Sequence, residues 1–222
     1  LEFTNSATYT VNTTNIPTPG NTMFTSSTLA APAMVTNLGN LQFISNNSIT
    51  APVNNGATGV IQISRQSNTM TGALTTVAGS LIKVDAASNG NSGVLTVSNG
   101  FTNNGTIELT SVTGYSTTLS VTSGTLTNAA GGLIHSIVQS GGGRNLNAEI
   151  NNQGTITIDQ DLTDVKSAAV HHNTGTITIA TGKILTFDQG DFNFDGGDIN
   201  GAGILEFTNS ATYTVNTTNI PT

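Results

Sequence analysis

The sequence predicts an all-β protein, a parallel β-helix (β-solenoid) with ~9–10 coils per 204 residues. Three observations predict it. Residues 1 to 18 and 205 to 222 carry the same eighteen letters, LEFTNSATYTVNTTNIPT, at an offset of 204 residues. Short runs alternate apolar residues with Thr, Ser and Asn, the period of a strand with one buried face. Asn and Gly precede these runs at intervals of ~20 to 27 residues, which is the length of a solenoid coil.

The exact repeat bears on architecture first. Residues 1–204 read as one unit of a continuous tandem solenoid, and 205–222 as the start of the next unit, identical to 1–18. The two copies should share one backbone and be related by translation along the axis with some twist. At ~4.8 Å per coil the translation is on the order of 45 Å. Solenoids carry polar caps at their true ends. Leu1 instead lies inside a repeat, so a secretion or anchoring signal is expected elsewhere in a longer chain.

The strands follow from the alternation. Gly105 to Thr110 reads Gly-Thr-Ile-Glu-Leu-Thr, and Gly-Thr-Ile-Thr-Ile occurs at 154–158 and 175–179. Period two turns Ile107, Leu109, Ile156, Ile158, Ile177, Ile179, Leu185 and Phe187 inward. It turns Thr106, Glu108, Thr155, Thr157, Thr176 and Thr178 outward. Helix is disfavoured by the dominance of Gly, Thr, Asn and Ser.

The corners come next. Asn103 and Gly105 precede Ile107, Asn128 and Gly132 precede Leu133, Asn152 and Gly154 precede Ile156, and Asn173 and Gly175 precede Ile177. Both residue types tolerate positive φ, which a tight corner demands. Asn at equivalent corners can also stack into amide ladders. A single strand–corner unit cannot bury its apolar face, but a stack can. A series of β-sandwich domains is the alternative. It would not reuse one corner motif at coil-length spacing. Residues 14–36, with Pro17, Pro19 and Pro32, and residues 138–147, with Gly141 to Gly143, are expected to be lateral loops.

Composition narrows the function. Only 8% of residues are charged, so 40 threonines and many Asn and Ser must supply the polar surface. The net charge is −7, and the five cations are scattered, which argues against nucleic acid as a partner. Without cysteine there is no disulfide framework or thiolate metal site. No apolar run reaches the length that spans a membrane as a helix.

The strings FTNNGTIELT, INNQGTITID, HHNTGTITIATGKILTF and INGAGILEFTNSATYTV resemble the repeats of very large bacterial surface proteins. These are the filamentous-haemagglutinin-like adhesins and autotransporter-type β-strand-repeat proteins. The resemblance covers nearly the whole chain and is compositional, so it specifies architecture better than ligand. It implies a right-handed β-solenoid in adhesion, cell contact or surface-layer structure, outside the cell.

Several candidate sites remain. Asp191, Asn193 and Asp195, followed by Gly196, match the first half of a Ca²⁺ loop, with Asp198 nearby. The second half departs from it, because Ala202 stands where a bidentate Glu belongs. The other reading is a solvated acidic strand with Phe192 and Phe194 inward. His171 and His172 are adjacent, so a strand points them to opposite faces, and zinc is disfavoured. Polysaccharide-cleaving β-helix enzymes need clustered carboxylates. Here Asp159 and Asp161, with Arg144 and His171, are the candidates, and exact repetition argues against catalysis. Thr155, Thr157, Thr176 and Thr178 suggest an ice-binding face, but Leu133-Ile134-His135 interrupts it. Tyr9, Tyr115 and Tyr213 alone could stack on sugars. The expectation is a structural module that is not an enzyme and needs no cofactor beyond a possible Ca²⁺. Its partners are copies of itself end to end and a possible host-cell or polysaccharide ligand.

Overall fold

The computed structural model describes residues 1–16, 20–87 and 90–218. Among the described residues there are 27 strands and no helix, and adjacent strands pair in parallel, as in Glu2–Thr4 with Asn21–Thr25. The chain winds as a β-solenoid of about ten coils, each contributing to three faces. Ten strands, from Glu2–Thr4 to Asp198–Gly201, form the first face, and Thr8–Thr10 to Ile204–Thr208 form the second. The third face starts with four short strands, from Asn15–Ile16 to Leu74–Thr76. It ends with Val170–Asn173, Asp191–Phe194 and Thr212–Val215. Between these, long strands run from the second face onto the third. Arg144–Asn152 pairs with Leu162–Asp164 through its start and with Val170–Asn173 through its end.

Parallel stacking puts equivalent residues in rows, and alternation decides which rows face inward. Leu41, Ile61, Ile82, Ile107, Ile134, Ile156 and Ile177 form one row on the first face, all buried. Leu109, Ile158, Ile179, Leu185 and Phe187 are buried too, while Thr106, Glu108, Thr155, Thr157, Thr176 and Thr178 are half-buried on the outside. At ~25 cal/mol per Å² of apolar surface removed from water, no single coil would hold itself. The rows join all coils into one core.

One corner is closed by amides. Asn103 donates to Asn128 at 2.9 Å, Asn128 to Asn152 at 2.8 Å and Asn152 to Asn173 at 2.7 Å, all buried. Asn37 and Asn55 repeat the contact earlier at 2.9 Å, and Thr76 takes the equivalent place in the next coil, opposite Asn55, and donates to the Asn103 amide oxygen at 3.4 Å. The spare N–H groups bond backbone carbonyls, as Asn128 does to Thr155 at 3.0 Å. The ladder expected from sequence is therefore present.

The reason assigned to its glycines needs correcting. Gly132 lacks positive φ. A Cβ there would stand 2.4 Å from the Asn103 carbonyl and 2.5 Å from the Asn128 amide oxygen. Glycine makes room for the ladder, whereas at Gly79, φ +87°, the left-handed backbone is the reason. At the corner between first and second faces the left-handed residues are Asn5, Ser6, Ser26, Asn46 and Gln66 instead.

The expected loops are smaller than read. Residues 14–36 contain Asn21–Thr25, Thr28–Ala30 and the start of Val35–Asn37, ordinary coil strands with buried Phe24, Leu29 and Val35. Pro17 and Pro19 lie outside the described residues, and Pro32 sits in a corner, where no ladder N–H is needed. In 138–147, the residues from Arg144 onward already belong to a strand.

Candidate functional site

The acidic stretch forms two strands on different faces. Asp191–Phe194 is a third-face strand with Phe192 and Phe194 buried and Asp191 and Asn193 outward. Asp198 begins a first-face strand, opposite Thr176. Asp191 and Asn193 lie along an extended strand, with Asp195 just after it, whereas a Ca²⁺ loop curls its oxygens round the ion from several sides. The carboxylates instead take hydrogen bonds from the next coil. Asp191 accepts from the Thr212 hydroxyl, and Asp195 accepts from Asn216 at 2.5 Å and meets His172 Nδ1 at 2.5 Å. Asp188 accepts from Thr208 at 2.7 Å and from Asn209. Burial acts against the Asp195 carboxylate, yet the Asn216 and His172 contacts hold its pKa below the usual value. Among the described residues no group of three His, Asp or Glu is placed to hold a metal ion.

Thr208, Asn209, Thr212 and Asn216 are the repeat copies of Thr4, Asn5, Thr8 and Asn12. The second copy thus lies along the acidic edge. Its local structure reproduces the first. Asn5 and Ser6 have φ 56° and 67°, and Asn209 and Ser210 have 49° and 70°. Phe3 stacks on Tyr9 at 4.5 Å, and Phe207 on Tyr213 at 5.1 Å. Their faces differ. Glu2–Thr4 lies on the first face and Thr8–Thr10 on the second, but Ile204–Thr208 lies on the second and Thr212–Val215 on the third. Translation along the axis with some twist therefore does not relate the copies. A step of one face is added.

The other candidates do not converge. Asp159 pairs with His135 at 2.8 Å, and Asp161 accepts the Ile184 backbone N–H at 3.0 Å. Arg144 is buried and donates to the carbonyls of Gly141, Gly142 and Ile137, so it binds the 137–143 corner to the core. Desolvation lowers its pKa, partly offset by the Asp85 charge. His171 is buried and His172 exposed, as adjacent strand residues must be. Burial pushes the His171 pKa down to about 4, and the imidazole packs on Phe187 at 4.7 Å. Asp164 stands in an inward row between Leu146 and Phe187, and burial raises its pKa to about 7 despite the Lys166 and Ala148 backbone N–H groups. Alternation puts Arg144 in phase with Leu146, Ala148 and Ile150, and Asp164 in phase with Leu162, but their charge argues against burial and residues 138–147 read as a loop.

Two surface patches complete the survey. The four threonines pair as Thr155 with Thr176 and Thr157 with Thr178, a square confined to two coils between Leu133/His135 and Asp198/Asn200. Tyr115, 46% exposed, lines a shallow open depression with Asn46, Gln66, Ser67 and Ser92. Tyr9 and Tyr213 are instead engaged with Phe3 and Phe207. Among the described residues no helix is long and apolar enough to cross a membrane.

Fold and surface together define a parallel β-solenoid repeat protein. Compared with protein-family models, with curated proteins and with solved structures, the chain matches none.

Proposed function

We propose that the chain is a structural repeat module of a long extracellular fibre or adhesin stalk on a bacterial surface, acting in attachment, cell contact or filament formation. Its partners are further copies of the unit, end to end. One observation carries the reading: the second copy of the 18-residue segment continues the solenoid by parallel pairing, Leu185 with Leu205 and Phe192 with Tyr213. A repeat that extends the same core adds length without adding a new site, and length is what a stalk requires. Electron microscopy of the native material should show thin filaments with an axial unit of about 45 Å, from ~4.8 Å per coil. Compact particles would overturn the reading. Fractionation of the source cells should place the chain at the surface.

A second reading rests on Tyr115. An exposed phenol beside amides and hydroxyls suits stacking and hydrogen bonding to a sugar, so a carbohydrate-binding adhesin module is the alternative. Glycan-array binding that is lost in Tyr115→Ala would favour it. An array bare of signal would leave the stalk reading alone.

A further inference from the structure

The nine coil steps on the first face run from Phe3 through Phe24, Phe43, Ile63, Val84, Leu109, Ser136, Ile158 and Ile179 to Gly201. Phe3 to Gly201 is 198 residues, whereas the sequence repeats at 204. The excess of six residues is also the spacing from Phe3 to Tyr9, which carries the chain round one corner. Phe207, the repeat of Phe3, therefore lands on the second face, opposite Phe187.

We propose that consecutive 204-residue units join one face out of phase, each advancing nine and one-third coils, and that the acidic edge of one unit receives the opening segment of the next. The inference rests on the tandem reading above and adds the geometry of the join. The receiving surface is the edge of Ile184–Asp188 and Asp191–Phe194. Asp188, Asp191 and Asp195 accept from Thr208 and Asn209, Thr212 and Asn216, while Glu206 accepts from Thr186 at 2.9 Å. The partner chemistry is thus a hydroxyl- and amide-bearing strand pair, and the sequence supplies it twice. The opening segment must fit corners of two kinds. It does so because Asn and Ser make its left-handed turn locally, at φ 56° and 67° in one place and 49° and 70° in the other.

The consequence is a fibre with no preferred side. A feature on the first face of one unit recurs on the second face of the next and the third face of the one after. Face order is restored after three units, ~28 coils or on the order of 134 Å along the axis. A ligand site such as the Tyr115 depression would be displayed around the whole fibre, which favours multivalent contact from any approach.

The absence of cysteine allows a direct test in the 222-residue chain. Register partners on adjacent coils are ~4.8 Å apart, within disulfide reach. The control pair Glu2→Cys with Met23→Cys should cross-link on the first face. Glu206→Cys should cross-link with Thr186→Cys on the second face. An in-phase join would put Glu206 on the first face, where it would link to Thr178→Cys. Linkage to Thr186→Cys without linkage to Thr178→Cys is the expected result. Linkage to Thr178→Cys overturns the proposal. So does failure of both Glu206 pairs while the control links, because the segment would then not be seated on the solenoid. The tandem reading is tested separately by the mass of the native polypeptide. A native chain shorter than two units removes that reading, while the cross-links still report the phase of the segment.

Discussion

Two sets of buried polar groups stand in the same solenoid and differ in how they are satisfied. The amides Asn103, Asn128, Asn152 and Asn173 each meet a like amide in an adjacent coil, and their spare donors reach backbone carbonyls. The ionisable groups Arg144, Asp164 and His171 occupy single coils, with no like group above or below. Arg144 Nε, Asp164 Oδ2 and His171 Nε2 are left without a protein partner. Stacking satisfies a group that is both donor and acceptor when the same residue recurs at coil spacing. It cannot do so for a charge, because a like charge one coil away repels it. Polar burial is thus readily accommodated where the sequence repeats and costly where it does not.

The comparison can be broken most severely in the ladder. Asn128→Ala removes an acceptor for Asn103 and a donor to Asn152 and Thr155 in one step. Leaving these buried groups unpaired should cost about 3 kcal/mol, read as a lower urea midpoint at unchanged slope. A change under about 1 kcal/mol would mean the amides are not held as a ladder.

Asp164→Asn should act in the opposite direction. A pKa near 7 means that the folded chain holds the Asp164 proton more tightly than the unfolded chain does. This group's contribution to stability is full in acid, falls as pH rises from about 4 to about 7, and stays low above that. Removing the charge should stabilise the protein by about 2 kcal/mol at pH 8, allowing for imperfect pairing of the new amide. Destabilisation at pH 8 would show that Asp164 is charged and well satisfied.

His171 sharpens the same contrast through the shape of the pH profile. Its pKa, lowered to about 4 from the usual 6.5, gives a contribution that is full above pH 6.5 and lost as pH falls towards 4. Between pH 4 and 6.5 the Asp164 and His171 slopes therefore oppose each other. In Asp164→Asn, thermal stability should rise with pH across this window more steeply than in the parent chain. In His171→Phe, which extends the Phe192 and Tyr213 row, it should fall. Parallel profiles for the two variants would refute the assignment.

The smallest effect is expected outside the core. Thr178→Val, at a half-buried outward position beside Thr157 and Asn200, should stay within about 0.5 kcal/mol. Calcium chelation should likewise shift the melting temperature little if the acidic edge is held by Thr208, Thr212 and Asn216. A large loss on adding EDTA would make Asp191, Asn193, Asp195 and Asp198 a metal site after all.

Much of this was legible in the letters. Ile156 and Ile158 pointed inward and Thr155 and Thr157 outward because side chains on a strand alternate, a rule that acts over two residues. Asn128 and Gly132 marked a corner because few residue types fit one. The strand–corner–strand shape of the opening segment also follows locally, since Asn5 with Ser6 and Asn209 with Ser210 turn alike on different faces. Arg144 and Asp164 fall on the inward side by the same alternation, in phase with Leu146 and Leu162, but a charge there reads as solvated. Only the tertiary structure supplies what makes burial tolerable, the carbonyls of Gly141, Gly142 and Ile137 for Arg144 and the Lys166 N–H for Asp164. The phase of the repeat was also decided by the tertiary structure alone. Coil steps range from 19 residues between Phe24 and Phe43 to 27 between Leu109 and Ser136. The face reached by Phe207 depends on the sum of nine such steps, and no local signal carries a sum over the whole chain.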